Sequence, residues 1–124
     1  MNDSPSDKFR EVSQIINEIK DEANLEGIIF ATRDGELISE NIGDELNSKK
    51  IASMCATVLE SAVGIGDSIG NQKIKKIIAE LEEKTIFILD CDRSTFFIII
   101  INRESHISSL MSKLEEVIQK VNKM

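Results

Sequence analysis

The sequence contains no Trp and no Tyr, and its aromatic residues are five Phe. Proteins that bind single-stranded nucleic acids stack bases on aromatic side chains, so this class lacks its usual residues here. Acidic residues outnumber basic ones by 22 to 15 and give a formal net charge of -7. Such a charge repels nucleic-acid phosphates and anionic membrane surfaces. We therefore expect neither as a partner.

Cysteine and histidine are also scarce. Cys55 and Cys91 are far apart and show no CxxC spacing, which argues against a zinc site or a redox pair and favours a reduced, intracellular setting. His106 is the only histidine, and the sequence shows no Ser/Asp pairing or second metal ligand beside it, so a surface or capping role is the simpler interpretation. We expect no catalytic residue, no cofactor and no metal.

No apolar run is long enough to cross a membrane. The longest weakly charged stretch, residues 51 to 66, includes Ser and Thr and falls short of the roughly 20 apolar residues that span a bilayer. The opening residues MNDSPSDKF lack the basic and apolar regions of a secretory signal. We therefore expect a soluble, cytoplasmic protein.

The length of 124 residues suits a single domain, because one hydrophobic core is comfortable at roughly 100 to 150 residues. Hydrophobic residues make up 41% of the chain and charged residues 30%, which is typical of a soluble globular protein. We predict a flexible leader over residues 1–5 and one domain over residues 6–124.

Near the start, apolar residues recur at the three-and-four spacing of an amphipathic helix, with Ser6 or Asp7 as its cap. These apolar residues are Phe9, Val12, Ile15, Ile16, Ile19 and Ala23. The run GIIFAT (residues 27–32) is followed by Arg33-Asp34-Gly35 and then by residues 37–39. An Asp-Gly pair between two such runs predicts a β-hairpin.

A long apolar segment follows the hairpin. Residues 46 to about 69 are predicted to be helical, with Asp44, Asn47 or Ser48 as a cap. Residues 51 to 66 carry a single charge, and apolar or small residues occupy every side of this predicted helix. A helix that is apolar all round must be covered on more than one face. In so short a chain one sheet covers only one of those faces, so a second cover is required.

Three short apolar runs then alternate with charged turns. They predict an antiparallel meander of strands over residues 74–81, 86–91 and 96–102. The run FFIIII (residues 96–101) is typical of a central strand buried on both faces, whereas the Lys-rich first run is typical of an edge strand. A closing amphipathic helix is predicted from Ser105 to about Asn122.

Two patterns resemble ligand sites without completing them. The glycines of VGIGDSIG (residues 63–70) are not followed by the Lys and Ser/Thr that a phosphate-binding loop needs, so we interpret them as a flexible helix end. Asp34, Asp90 and Asp92 do not have the spacing of a calcium loop, so we predict turn roles for them.

The element order and three segments together resemble the Roadblock/dynein light chain family. The segments are LEGIIFATRDGELIS (residues 25–39), the small-residue-rich helix from Leu46, and FILDC (residues 87–91). The uniformly apolar FFIIII strand departs from the family pattern. The resemblance implies an α+β sandwich of the profilin-like type, in the order α-β-β-α-β-β-β-α. Its five-stranded antiparallel sheet would carry the second helix on one face and the terminal helices on the other.

The resemblance further implies a dimer with an identical or paralogous subunit. In this arrangement the second helix packs on its counterpart and the third strand pairs with the same strand of the partner, which would supply the missing cover. A two-fold contact is also the commonest way in which soluble proteins oligomerise. The predicted interface residues are Ile51, Met54, Cys55, Val58, Leu59, Ala62, Lys75 and Ile77.

Charges at the third strand bear on this self-pairing. Lysines at its start are of the kind that blocks edge pairing, whereas antiparallel self-pairing brings Lys of one chain near Glu of the other. The residues concerned are Lys73, Lys75, Lys76, Glu80, Glu82 and Glu83.

As a function, the resemblance implies a non-enzymatic adaptor or regulator of a small Ras-like GTPase, bound through the helix-two face of the dimer. Scaffolding is favoured over promoted hydrolysis, because Arg33, Arg93 and Arg103 all fall at turns or strand ends rather than in the position of an arginine finger. The alternatives are a ligand-sensing domain of the profilin or PAS kind, with a cavity of about 300 Å³ or more, and a purely structural assembly protein.

Overall fold

The structure of the protein is a computed structural model that describes residues 5–92, 94–105 and 110–123. Within these residues, three helices and five strands follow one another in the predicted order. They are α1 (Pro5–Ala23), β1 (Gly27–Thr32), β2 (Leu37–Ile42), α2 (Ser48–Ser68), β3 (Lys76–Glu80), β4 (Thr85–Asp90), β5 (Thr95–Ile101) and α3 (Leu110–Lys123).

The five strands form one antiparallel sheet in the order β2-β1-β5-β4-β3. β5 lies in the centre, and its residues 96–101 are all buried, as the FFIIII run predicts. Phe97 stands opposite Phe30 of β1, and their rings lie 4.7 Å apart between centroids. β3 and β2 are the two edge strands, so the predicted edge position of the Lys-rich strand is confirmed.

The sheet separates two apolar clusters, because successive side chains of a strand point to opposite faces. One cluster joins the sheet to α1 and α3, and it includes Val12, Ile16, Phe30, Phe97, Ile99, Leu110 and Leu114. The other joins the sheet to α2, and it includes Ile29, Ala52, Cys55, Leu59, Ile88, Ile98 and Ile100. The predicted placement of α2 on one face and the terminal helices on the other is confirmed.

Caps and a close contact set the limits of α2. Asn47 is its N-cap, with the side-chain oxygen accepting from the Lys50 N–H at 3.1 Å, so one of the three predicted caps is confirmed. At the other end, Gln72 N–H donates to the Gly66 carbonyl at 2.9 Å. A Cβ at Gly66 would lie 2.2 Å from the Gln72 carbonyl oxygen, so this turn requires glycine.

The predicted hairpin between β1 and β2 is also confirmed. Gly35 adopts a φ of 91°, which is the left-handed region that favours glycine. Its N–H donates to the Thr32 carbonyl at 2.8 Å, and the Thr32 hydroxyl accepts from the Glu36 N–H at 3.0 Å. β2 continues beyond the predicted segment to Ile42.

Some predicted boundaries are wrong. α1 begins at Pro5 and includes Ser6 and Asp7, so neither Ser6 nor Asp7 caps it. A proline suits the first turn of a helix because an N–H group is not needed there. β3 covers only Lys76–Glu80. The predicted α3 cap, Ser105, accepts from the Asn102 N–H at 3.1 Å in a turn. Residues 106–109 lie outside the described residues, so the start of the helix predicted at Ser105 stays a prediction.

Candidate partner-binding surface

One side of α2 exposes four large apolar residues in a row. They are Met54, Val58, Ile65 and Ile69, with exposed fractions of 59%, 47%, 63% and 68%. Ile69 is the C-cap of the helix, and the spacings of four and seven residues place all four on the same side. We call these four residues the α2 stripe. In a monomer the α2 stripe would be left in water, which is unfavourable for so many large apolar groups.

The predicted α2 interface residues divide into three groups. Met54 and Val58 belong to the α2 stripe. Leu59 is fully buried against the sheet and Cys55 is 9% exposed beside it, so both serve the core of the same chain and are not available to a partner. The remaining two, Ile51 and Ala62, are half-buried.

Cys55 illustrates what burial does to a thiol. Burial raises the pKa of Cys55 above its ordinary value, which keeps the sulfur protonated and unreactive. Cys91 is buried in the cluster on the opposite face of the sheet. The two cysteines therefore lie on different sides of the sheet, in keeping with the structural roles predicted for them.

The outer edge of β3 has no neighbouring strand among the described residues. Ile77 points to the α2 face and is half-buried, whereas Ile78 points to the opposite face and is 48% exposed. Lys75 precedes the strand and is exposed. The edge therefore offers unpaired backbone groups together with an exposed apolar side chain, which is a template for pairing with another strand.

The α2 face of the sheet is not covered evenly. Ile88 of β4 and Ile98 of β5 are buried in the cluster that includes α2. Ile77 of β3 and Ile86 of β4 pack against the same cluster but remain half-buried. A further apolar element beside α2 would cover Ile77 and Ile86.

Sequence reasoning missed Ile65, Ile69, Ile78 and Leu81 as exposed apolar residues. Ile65 and Ile69 continue the spacing of Met54 and Val58, so the helical period alone signals them. The exposure of Ile78 depends on the β3–β4 register, which places it opposite Phe87. The sequence carries no signal for that register.

Two of the three aspartates considered for a cation site, Asp90 and Asp92, have other partners. Arg33 donates to Asp90 Oδ1 from Nε at 3.1 Å and from Nη2 at 2.7 Å. Asp92 Oδ1 accepts from the Thr95 N–H and the Ser94 N–H, both at 2.7 Å, which confirms its turn role. Within residues 5–92, 94–105 and 110–123, no three acidic, His or Cys side chains converge on a point where a metal ion would fit. His106 and Arg93 lie outside these residues.

An ion pair ties the β3–β4 turn to the start of β1. Lys84 Nζ lies 2.5 Å from Glu26 Oε2, and Asn102 Nδ2 donates to Glu26 Oε1 at 3.5 Å. The hydrogen bond from Lys84 lowers the pKa of Glu26 below its ordinary value of 4.5, against the opposing effect of burial. The same hydrogen bond raises the pKa of Lys84.

Replacing Lys84 by Met is expected to lower the midpoint temperature of unfolding at about pH 7. Because the folded-state pKa of Glu26 lies below its unfolded value, the pair stabilises the fold above about pH 4.5, and this contribution is lost as the pH falls through the folded-state pKa. The unfolding temperatures of the native chain and the variant should therefore converge as the pH falls below the ordinary pKa of Glu26. Lys73→Met, at an exposed position, is the control, and a gap that stays the same as the pH falls would contradict the assignment.

Surface depressions of moderate volume lie away from α2. One of about 190 Å³ lies between α1 and α3 and is lined by Ile15, Ile19 and Val117 among others. Another of about 320 Å³ lies beside Lys84 and Arg103. Neither lies between α2 and the sheet, where a ligand-sensing domain would hold its ligand.

In the part of the chain that is described, no helix has the length and apolarity that crossing a membrane requires.

Comparisons with known proteins agree with this architecture. The Roadblock/LC7 domain family model matches residues 11–101. Myxococcus xanthus MglB superposes with a TM-score of 0.87 at 14% identity, over 99% of this chain and 91% of that chain. The Roadblock/LC7 domain from Streptomyces avermitilis superposes with a TM-score of 0.81 at 13% identity, over 90% of this chain and 94% of that chain.

A more distant neighbour is profilin IA from Acanthamoeba castellanii, with a TM-score of 0.62 at 10% identity, over 88% of this chain and 94% of that chain. The predicted profilin-like fold class is thereby confirmed. A comparison with curated proteins gives no significant match.

Proposed function

The chain belongs to the Roadblock/LC7 domain family, and on this premise we propose that it is a non-enzymatic, dimeric scaffold or regulator of a small Ras-like GTPase. The observation that carries the proposal is the α2 stripe. Its four large apolar residues are between 47% and 68% exposed. A surface of this kind marks a protein interface rather than a catalytic site.

One dimer contact would account for the exposed α2 stripe, the unpaired edge of β3 and the half-buried Ile77 and Ile86. The α2 stripe of one copy packs on that of the other, β3 pairs with β3, and the second α2 covers the half-buried Ile77 and Ile86. Two-fold contacts of this type use the same patch on both copies. Of the eight interface residues predicted from sequence, Met54, Val58, Ile51, Ala62, Lys75 and Ile77 keep that role in the proposal.

The GTPase would bind where the two α2 helices meet. Dimerisation through the α2 stripe leaves the polar flank of each α2 exposed, and this flank includes Ser53, Thr57, Glu60 and Asp67. Lys49 lies on the same side near the start of the helix, but the flank contains no Arg, so it offers no arginine finger for hydrolysis. This composition supports scaffolding as the role.

Two variants test the GTPase interface. Glu60→Lys reverses a charge on the proposed binding flank, whereas Glu115→Lys makes the same change at an exposed position of α3, beyond the opposite face of the sheet. In a pull-down against the Ras-like GTPases of the same cell, loaded with GDP or a GTP analogue, the native chain is expected to retain one of them. Glu60→Lys should weaken its affinity by about tenfold and Glu115→Lys should leave it unchanged.

Hydrolysis and exchange assays on the same GTPases complete the test. A scaffold binds its GTPase and leaves the hydrolysis rate within about twofold, whereas an activating protein raises it by about a thousandfold or more. Failure to retain any GTPase, with no change in nucleotide hydrolysis or exchange, would contradict the proposal. It would leave the dimer as a structural assembly protein.

A further inference from the structure

Within the proposed dimer, in which β3 pairs with β3 of a second copy, we propose that the two-fold axis lies at Ile78 and that the facing of Lys76 and Glu80 across this axis selects the register. The inference rests on the proposed dimer. It adds to that dimer a specific alignment of the two strands and the charges that select it.

The backbone of β3 fixes which of its groups face outward. Leu81 N–H donates to the Lys84 carbonyl at 2.8 Å, and this pair continues the register in which Ile77 stands opposite Ile88. In an antiparallel ladder hydrogen-bonded and non-hydrogen-bonded pairs alternate. Leu81, Ala79 and Ile77 therefore bond to β4, so Lys76, Ile78 and Glu80 direct their N–H and C=O groups to the free edge.

A second β3 satisfies these outward groups best when Ile78 faces Ile78. Residues 76–80 of one copy then pair with residues 80–76 of the other over the whole strand, so that every outward N–H and C=O meets a counterpart. Lys76 of each copy faces Glu80 of the other. Directly facing side chains on one side of an antiparallel pair have Cβ atoms about 5 Å apart, which is close enough for an ion pair.

The side chains on both faces suit this alignment. Lys76, Ile78 and Glu80 share the face of Phe87, which belongs to the α1 and α3 cluster. The exposed Ile78 would meet its own copy in the centre, with an ion pair on either side. On the α2 face, Ile77 would meet Ala79, so apolar groups cover the sheet below the two helices.

Other registers satisfy fewer groups. Shifting one copy by two residues in one direction places Lys76 opposite Ile78, and shifting it in the other places Lys76 opposite Glu82, which lies beyond the strand. Either shift reduces the overlap from five residues to three. A shift by an odd number of residues would place the outward N–H and C=O groups of one β3 opposite residues of the other β3 whose N–H and C=O groups already bond to β4.

Charge reversal at the two positions tests the inference. In Lys76→Glu, positions 76 and 80 are both acidic, and in Glu80→Lys both are basic. In a homodimer of either variant, two pairs of like charges would therefore face each other. Its homodimer is expected to dissociate at a concentration at least about tenfold higher than that of the native dimer. A mixture of the two variants should form a heterodimer within about threefold of native affinity, and Lys76→Glu/Glu80→Lys should recover the homodimer.

Native mass spectrometry of differently tagged chains reads out all combinations, and circular dichroism confirms that each variant is folded. The effect should shrink in about 0.5 M salt, because exposed charges are then screened. A mixture of Lys76→Glu with Glu82→Lys is the register control. If this mixture, rather than the one with Glu80→Lys, formed the heterodimer, the two-residue shift would be correct and the proposed alignment overturned.

The outcomes separate the inference from the proposed function. A native dimer whose charge variants all self-associate like the native chain overturns the charge-selected register and leaves the dimer intact. A native chain that is monomeric at all concentrations overturns both.

Discussion

Replacing Val58 by Glu is expected to turn the dimer into a folded monomer. Val58 lies in the middle of the α2 stripe and is 47% exposed in a single chain, so the chain itself tolerates a charge there. In the dimer the two carboxylates would be buried at the seam without partners. Such burial costs about 3 kcal/mol or more, a factor of more than about 100 in the dissociation constant.

Thr57→Glu is the matched control for Val58→Glu. It adds the same charge one residue away, on the exposed polar flank of α2. Sedimentation equilibrium should find Thr57→Glu as a dimer and Val58→Glu as a monomer, with the same helical signal in circular dichroism. Equal dissociation constants for the two variants would show that α2 is not the seam.

Replacing Leu59 by Ala is expected to lower the free energy of unfolding by about 2 to 5 kcal/mol. Leu59 is fully buried in the cluster between α2 and the sheet, which also contains Ile29 and Ile98. The shortened side chain removes apolar burial and leaves a cavity that close-packed neighbours fill only partly. The effect therefore falls on the stability of the single chain.

Denaturant unfolding in the Val58→Glu background measures this loss without a contribution from dimer dissociation. Met54→Ala in the same background is the control, because Met54 is 59% exposed, and it should change the free energy by less than about 1 kcal/mol. A small effect of Leu59→Ala, or an equal effect of Met54→Ala, would contradict the division of α2 into a core side and a partner side.

The sequence predicts the elements of this fold because their hydrophobic periods are clear. Strands and helices alternate with short charged turns, and the FFIIII run has the composition of a strand buried on both faces. The sequence also shows that α2 needs two covers. It does not show which residues of α2 face the sheet and which face the partner. The sequence therefore predicts Leu59 and Cys55 at the partner interface, although both pack on the sheet.

The details of β3 depend on contacts that one strand does not encode. Whether Ile77 or Ile78 faces α2 is set by the pairing of β3 with β4, and a slip of one residue exchanges the two faces. The charge pattern from Lys73 to Glu83 is visible in the sequence. Its alignment about Ile78 follows only once the outward groups of the strand are known.

The central claim is that a second copy of the chain covers the α2 stripe and the β3 edge. The molar mass of the native chain in solution tests this claim most directly. Light scattering across a range of micromolar concentrations is expected to give twice the 13.9 kDa of one chain. A mass of one chain at every concentration would contradict the claim, because the α2 stripe would then remain in water.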